Sequence, residues 1–444
     1  MPFSESEFIT KLVNKFRRTV IGGPKDVDDP TIFHKISLVA LLAWIGLGAD
    51  GLSSSSYGPE EAFRALGSHT YLLFFIAIAT AVTVFIISYA YSRIIEHFPH
   101  GGGGYIVATH TLGEKAGVIS GAALLIDYIL TITVSIVSCS AAIFSFLPIQ
   151  YHGFKMAFCV LMILALVILN MRGIKESVTF LAPIFITFFI THLLMIGYGI
   201  LIHIGDVGPI AAEMQSNIRN DFAVIGMWGI CAIFFRGYSM GAGTYTGIEA
   251  VSNGLQVMRE PRVQTGKRTM ALMAGSLAFT AAGLLLCYML LRVQATEGKT
   301  LNAVLANALY GNWPFGKILA LITIFSEGAL LFVAAQTGFI DGPRVMSNMA
   351  VDSWLPHRFA SLSERLTMNN GVLLMGISSI ALLIYTKGSI SMLVVMYSIN
   401  VFLTFSLSQL GMTRYFITHR KTEKKWKGYA AVFLIGLLLC LTIL

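Results

Sequence analysis

The stretch Leu41–Phe63, LLAWIGLGADGLSSSSYGPEEAF, decides the architecture. It opens as an apolar helix. It is then interrupted by Gly46, Gly48 and Gly51, by four serines at 53–56, and by Gly58-Pro59. A glycine inside a helix costs about 1 kcal/mol relative to alanine. A freed backbone group in lipid costs far more, so irregular backbone at that depth must be buried in protein or line a cavity. A kinked helix packed closely through small residues is the competing reading. It leaves Asp50 unexplained, because an ionisable residue within a span marks a functional site by default.

A second interrupted stretch, Cys231–Gly254, reads CAIFFRGYSMGAGTYTGIEAVSNG and carries Arg236 and Glu249. Gly48-Ala49-Asp50-Gly51 and Gly241-Ala242-Gly243-Thr244 stand at matching places in the first and sixth apolar segments. Each begins one half of a five-plus-five arrangement. An odd number of spans per half requires the second half to be inverted. Broken helices at corresponding positions of two halves point to a transporter's binding site. Freed carbonyls there can ligate a cation, and half-helix N-termini favour an anion.

The rest of the chain agrees. Of 444 residues, 55% are hydrophobic and 12% charged, with mean hydropathy +0.73. A soluble domain carries about 25% charge, so a soluble globular protein, a disordered chain and a coiled coil are excluded. Eleven apolar segments follow one another at 36–66, 70–97, 115–147, 154–171, 177–203, 222–253, 268–293, 315–340, 371–386, 388–412 and 429–444. Segments of this length suit an all-α polytopic membrane protein; a β-barrel would alternate over shorter stretches. The expected organisation is a cytoplasmic N-terminal segment at 1–35, one five-helix repeat at 36–203, a second at 222–412, and a basic loop with a partial eleventh helix at 413–444. The last segment is short, and the chain is expected to stop inside a span.

Net charge is 31 − 23 = +8. Lys and Arg concentrate in alternate connections, so the charge is read as membrane orientation and not as a nucleic-acid surface. The rich side is expected to be cytoplasmic, with the N-terminus inside. The start, MPFSESEFITKLVNKFRRTV, reads as an amphipathic helix on the inner membrane surface. All five cysteines lie in apolar runs at no metal-ligand spacing.

Further polar groups sit in the spans. In Leu125–Ser138, LIDYILTITVSIVS, the residues Asp127, Thr131 and Ser135 fall at i, i+4 and i+8 and share a helix face, with Tyr128 beside them. Either hydroxyl alone is accounted for by a bond to a carbonyl one turn back; a buried carboxylate is not. Thr246 and Glu249 are three apart and also share a face. Glu327 is a further acid within a span, with no role assigned. Arg236 is read equally as a partner for one of these acids or as a gate. Glu60 and Glu61, near a helix end, are expected to be solvated or in an outer vestibule. His100-Gly101-Gly102-Gly103-Gly104 reads as a flexible loop and only superficially as a phosphate cradle, since no Lys-Ser/Thr follows.

GADGLSSSSYG with Asp50 and Tyr57, PHGGGGYIVA, IDYILTITVS, NMRGIKES, FRGYSMGAGTYTGIEAVSNG and MYSINVFLTFSLSQLGM together resemble the APC superfamily of secondary transporters, and within it the KimA-like KUP-type potassium importers. The glycine-rich loop and NMRGIKES are shared with amino-acid permeases, whereas the acidic and hydroxyl set is more specific. The resemblance implies a LeuT-like inverted-repeat fold. It also implies a potassium site ringed by Asp50, Tyr57, Asp127, Tyr128, Thr131, Ser135, Thr246, Glu249 and Tyr397. In that reading Asp50, Asp127, Thr131, Ser135 and Thr246 ligate the ion. Asp50, Asp127 and Glu249 carry proton coupling and gating, with Asp50 and Asp127 the principal ligands.

Potassium exchanges its hydration shell for oxygen ligands, and the proposed ring has no thiolate or imidazole to suit zinc or copper. Three acids near one monovalent ion leave excess negative charge, so at least one is expected to take up a proton. The expected function is potassium–proton symport by alternating access. No cofactor is expected beyond potassium as substrate and the proton as coupling ion. The expected partners are a small inorganic cation and the lipid bilayer of a bacterial inner membrane. The resemblance also implies a twelfth helix and a large cytosolic domain, often dimer-forming, which this sequence is expected to lack. That weakens the expectation of a homodimer. The alternative is a proton-coupled amino-acid permease, against which Asp50 argues by repelling the substrate carboxylate. An enzyme is not expected, since no nucleophile–base or metal constellation emerges.

Overall fold

The structure, a computed structural model, describes residues 38–99, 103–172 and 177–444. The N-terminal segment, His100–Gly102 of the glycine loop and Gly173–Glu176 of NMRGIKES lie outside the described residues.

The first segment forms α1 (Ala40–Ser53), a single 3-10 turn (Ser54–Ser56) and α2 (Gly58–Leu66). Pro59 stands in the first turn of α2, where a missing N–H costs nothing. Glu60 and Glu61 in that turn and Arg64 in the last suit the helix dipole. The first half continues through α3 (Leu73–His97), α4 (Gly103–Leu112), α5 (Glu114–Phe144), α6 (Lys155–Arg172) and α7 (Ser177–Ile202).

The second half repeats this order. It runs α8 (Val207–Met240), α9 (Ala250–Asn253), α10 (Arg262–Leu290), α11 (Leu301–Tyr310), α12 (Gly316–Val351), α13 (Asn369–Thr386) and α14 (Ile390–Thr418), before α15 (Trp426–Ile443). Among the described residues ten helices are long and apolar enough to cross a bilayer. The broken α1–α2 makes the eleven predicted. α15 begins three residues before the predicted start at 429 and packs along α14.

The repeat shows in the packing. The second helix of each half, α3 and α10, lie against one another, as do the third, α5 and α12. α4 and α11 are both short helices of 10 residues that follow those second helices. They stand at opposite ends of the bundle. α4 starts against the end of the second break, where a Cβ on Gly103 would overlap Asn253; α11 caps the far end, where the Leu301 N–H meets Glu60. Glycines bring α12 close to α5: a Cβ on Gly338 would lie 2.7 Å from Ile132 and 2.8 Å from the Tyr128 carbonyl.

Contacts gather the connections near Leu38 into one face. Lys267 bonds Glu96 at 2.5 Å, His97 stands 3.8 Å from Glu423, the Arg365 guanidinium donates to the Arg172 carbonyl, and Arg93 covers the Tyr429 ring. This is the face to which the sequence assigns most of the Lys and Arg.

Two boundaries differ most from the expectation: the end of α12, which continues past 340 to Val351, and the start of the sixth helix. The sixth helix starts at Val207, well before 222, and bends at Gly226, whose φ of 69° and ψ of 176° are not helical. The part before the bend is polar and exposed, so its composition hid it. It is held to the far face by Asp221, which accepts from the Tyr71 hydroxyl at 2.6 Å and contacts His69 at 2.6 Å.

Candidate functional site

The two interruptions meet at the centre of the bundle. Gly247 has φ +80°, and a Cβ there would stand 2.5 Å from the Gly51 nitrogen and 2.9 Å from its Cα. Gly58 abuts Thr244 so closely that a Cβ would overlap its side chain. Only glycine suits both requirements at 247, a left-handed backbone and direct main-chain contact. The Ser54 hydroxyl lies 2.5 Å from the Gly51 carbonyl and 2.7 Å from the Thr244 carbonyl, so it links the two breaks.

The breaks satisfy their backbones differently. Ser53 and Ser55 donate to the carbonyls of Asp50 and Leu52 at 2.8 and 2.7 Å. In the second break the chain passes through a 3-10 turn (Gly241–Tyr245) to an extended Thr246. The Thr246 hydroxyl donates to the Gly243 carbonyl at 2.8 Å. Glu249 turns its carboxylate back onto the N–H groups of Gly247 and of its own residue. The carbonyls expected to be free for a cation in the first break thus already accept serine hydroxyls.

Around this junction the predicted hydroxyls converge. The Thr131 hydroxyl donates to Tyr397 at 2.7 Å. The Tyr57 hydroxyl is 3.4 Å from that of Thr246 and also meets Tyr397. One chain of hydroxyls therefore joins α5, the first break, the second break and α14. Tyr128 stands to one side, its hydroxyl accepting from Asn253 at 2.5 Å.

Asp50, Asp127 and Glu249 are 2%, 1% and 2% exposed. Their charges act on one another: Glu249 on both aspartates, and Asp50 on Asp127. Each keeps one buried oxygen with no hydrogen-bond partner, Asp50 Oδ1, Asp127 Oδ1 and Glu249 Oε2, and so does the Ser135 hydroxyl. The acids are near enough to share a field yet do not close on one point. Among the described residues no three His, Cys, Asp or Glu side chains are grouped to hold a metal ion. Hydroxyls must complete any shell.

Asp341 is the residue the sequence reading missed. It lies on α12, 1% exposed, and its charge acts on Asp50, Glu249 and Tyr128. Arg344 donates to Oδ1 at 3.3 Å, while Oδ2 is buried without a partner. The signal was an Asp directly after an apolar run, followed by Gly342-Pro343-Arg344, which read as the end of a helix.

Two expectations are corrected. Glu60 and Glu61 are buried, at 9% and 5% exposed, and not solvated. α11 covers Glu60, which accepts the Leu301 N–H at 3.0 Å and Arg64 at 2.6 Å. Arg236 is exposed on α8 and forms no ion pair with the buried acids, because its side chain leaves the bundle. The partner reading of Arg236 therefore falls.

A profile of the family described as "Amino acid permease" matches residues 36–444. The potassium transporter KimA of Bacillus subtilis (strain 168) is 32% identical over 413 residues, which are 92% of this chain and 66% of that protein. The chain thus spans just under two thirds of that relative. The crystal structure of MhsT in complex with L-phenylalanine superposes with TM-score 0.56 at 12% identity, over 90% of this chain and 97% of that one. That likeness concerns the fold, which is LeuT-like, with broken first and sixth helices. The family is one of transporters and not of enzymes, and the chain belongs to it: it is a multi-pass membrane protein of the amino acid permease family.

Proposed function

We propose that this chain imports potassium across the cell membrane, as a potassium–proton symporter working by alternating access. The observation that carries the reading is the set of buried oxygens without partners, on Asp50, Asp127, Ser135 and Glu249, around a junction of two broken helices. A buried acceptor without a donor costs about 1–3 kcal/mol, more when charged, and a dehydrated cation removes that cost for several at once. The similarity to a potassium transporter supports the choice of ion.

In this reading Asp50 and Asp127 are the principal ligands, with Thr131, Ser135 and Thr246 supplying hydroxyls. Tyr57 and Tyr397 hold the Thr246 and Thr131 hydroxyls in place. Glu249 is the gating acid, because it ties down the second break. Four acids with Asp341, offset by Arg344 and one potassium, still carry net negative charge in a low dielectric, so a proton accompanies the ion. These acids titrate as a coupled set, and no single one owns that proton. The face that gathers Lys and Arg is the cytoplasmic one.

The amino-acid permease reading remains the competitor at the level of the family. An acid in the first break opposes it, since Asp50 faces the place where a substrate carboxylate would dock. The test is growth of a potassium-uptake-deficient bacterium at low potassium. Expression of this chain restores growth, and the Asp127→Ala variant, inserted at wild-type level, does not. Rescue by Asp127→Ala, or uptake of amino acids in place of potassium by proteoliposomes, overturns the reading.

A further inference from the structure

A second buried polar cluster lies towards the α11 face, and the cation site makes no use of it. His192 of α7 and Glu327 of α12 are 0% and 1% exposed, with Nε2 and Oε2 3.6 Å apart. The His192 Nδ1 is 3.0 Å from the Phe188 carbonyl. A carbonyl only accepts, so Nδ1 carries the hydrogen. The neutral ring then turns a lone pair on Nε2 towards Glu327, and Nε2 has no hydrogen-bond partner. A lone pair facing a carboxylate in a dry site is repulsive. One added proton, on either Nε2 or Oε2, makes the contact attractive.

The surroundings fix this geometry. Asn302 donates to Glu327 Oε2 at 3.1 Å and accepts from the Tyr288 hydroxyl at 2.5 Å. Thr191 and Ser326, the neighbours of the pair, meet at 3.3 Å. The other titratable groups facing it are Glu60 and Glu61 from α2, with Arg64 on Glu60, Tyr288 from α10 and Cys139 from α5. None of these supplies a positive charge to Glu327 directly, since Arg64 is spent on Glu60.

We propose that His192 and Glu327 jointly bind one exchangeable proton, at a site distinct from the cation cluster, and that this second proton, beside the one shared by the acids around the ion, is also coupled to ion movement. The proposal rests on the symport reading above. Two features connect the sites. Glu327 lines a cavity of about 10 Å³ with Glu60, Glu61, Ser138 and Tyr57, which is room for about one water. Tyr57 also bonds Thr246 in the cation site. On the far side Glu60 is held by Arg64, whose side chain is 46% exposed, so the cavity lies one side chain from the surface. A proton entering there binds the pair, resting on Nε2 or Oε2, and is given up from Oε2 towards the opposite face once the two halves have rocked. α7 belongs to the first half and α12 to the second, so binding this proton bears directly on how the halves sit together.

The full chain in lipid nanodiscs, with nitrogen-15-labelled histidine, tests the site without transport. Of the ten histidines, the His192 signals are those missing in His192→Gln. We expect them to respond to acidification in the wild type, and in Glu327→Gln to stay at the neutral Nδ1–H form. Identical His192 behaviour in the wild type and Glu327→Gln overturns the proposal. In proteoliposomes, an imposed inward proton gradient should accelerate potassium uptake in the wild type. That acceleration should fall about tenfold in Glu327→Gln and in His192→Gln, with potassium affinity within about twofold of wild type. A responsive wild type with equally responsive variants contradicts the pair alone. A wild type indifferent to the gradient contradicts both the symport reading and this role for the pair.

Discussion

The two broken segments look alike in sequence and differ in chemistry. In the first, the groups left over are carbonyls, and three successive serine hydroxyls cover those of Asp50, Gly51 and Leu52. In the second, the groups left over include amides, and the Glu249 carboxylate covers two of them. The first break returns to a helix of 9 residues, the second only to one of 4. Donor side chains alone repair the first break, whereas the second uses the donors Thr246 and Ser54 and, in addition, an acceptor. Both acids keep a buried oxygen without a partner, but Glu249 has a structural task besides, which Asp50 does not share. That contrast separates a gating acid from a ligand acid.

Substitutions can break or sharpen the contrast. The largest effect is expected at the main-chain contact. Gly247→Ala forces a Cβ onto Gly51 in a backbone conformation alanine avoids, and should cost about 3–5 kcal/mol. Thermal unfolding in detergent, or loss of monodisperse protein, reads it. Next come the acids. Asp50→Asn should weaken potassium binding about a hundredfold, close to 2.7 kcal/mol, with little change in melting temperature. Glu249→Gln should do the reverse: affinity within about tenfold, transport slowed, and stability lower by about 1 kcal/mol. Equal effects of the two on affinity would remove the distinction drawn between the breaks. The smallest effects belong to the serines. Ser54→Ala breaks contacts in both segments and should cost about 1–2 kcal/mol, against about 0.5–1 kcal/mol for Ser53→Ala or Ser55→Ala. Chemical denaturation of the three variants ranks them.

Much of the architecture was legible because lipid allows so few solutions. Apolar runs of spanning length had to be helices, and glycines with an aspartate inside two of them had to face protein or a cavity. The spacing of Asp127, Thr131 and Ser135 placed three polar groups on one face, and all three are buried. What stayed hidden depends on contacts made far along the chain. The burial of Glu60 comes from α11, some 240 residues later, and no local pattern announces it. Asp341 was hidden because α12 runs through Gly342-Pro343 to Val351 without ending. Glu327 stood alone in its apolar run, and its partner His192 comes from another helix far along the chain. The polar half of α8 was invisible because spans are recognised by apolar content, which it does not have.

The account stands on an alkali ion held between the two breaks. The most direct measurement is anomalous diffraction from crystals grown with rubidium in place of potassium. The account predicts one buried peak in contact with Asp50, Asp127 and the hydroxyls of Thr131 and Thr246, absent in crystals of Asp127→Asn. A buried peak elsewhere, or none at this junction in protein that transports rubidium, would contradict it.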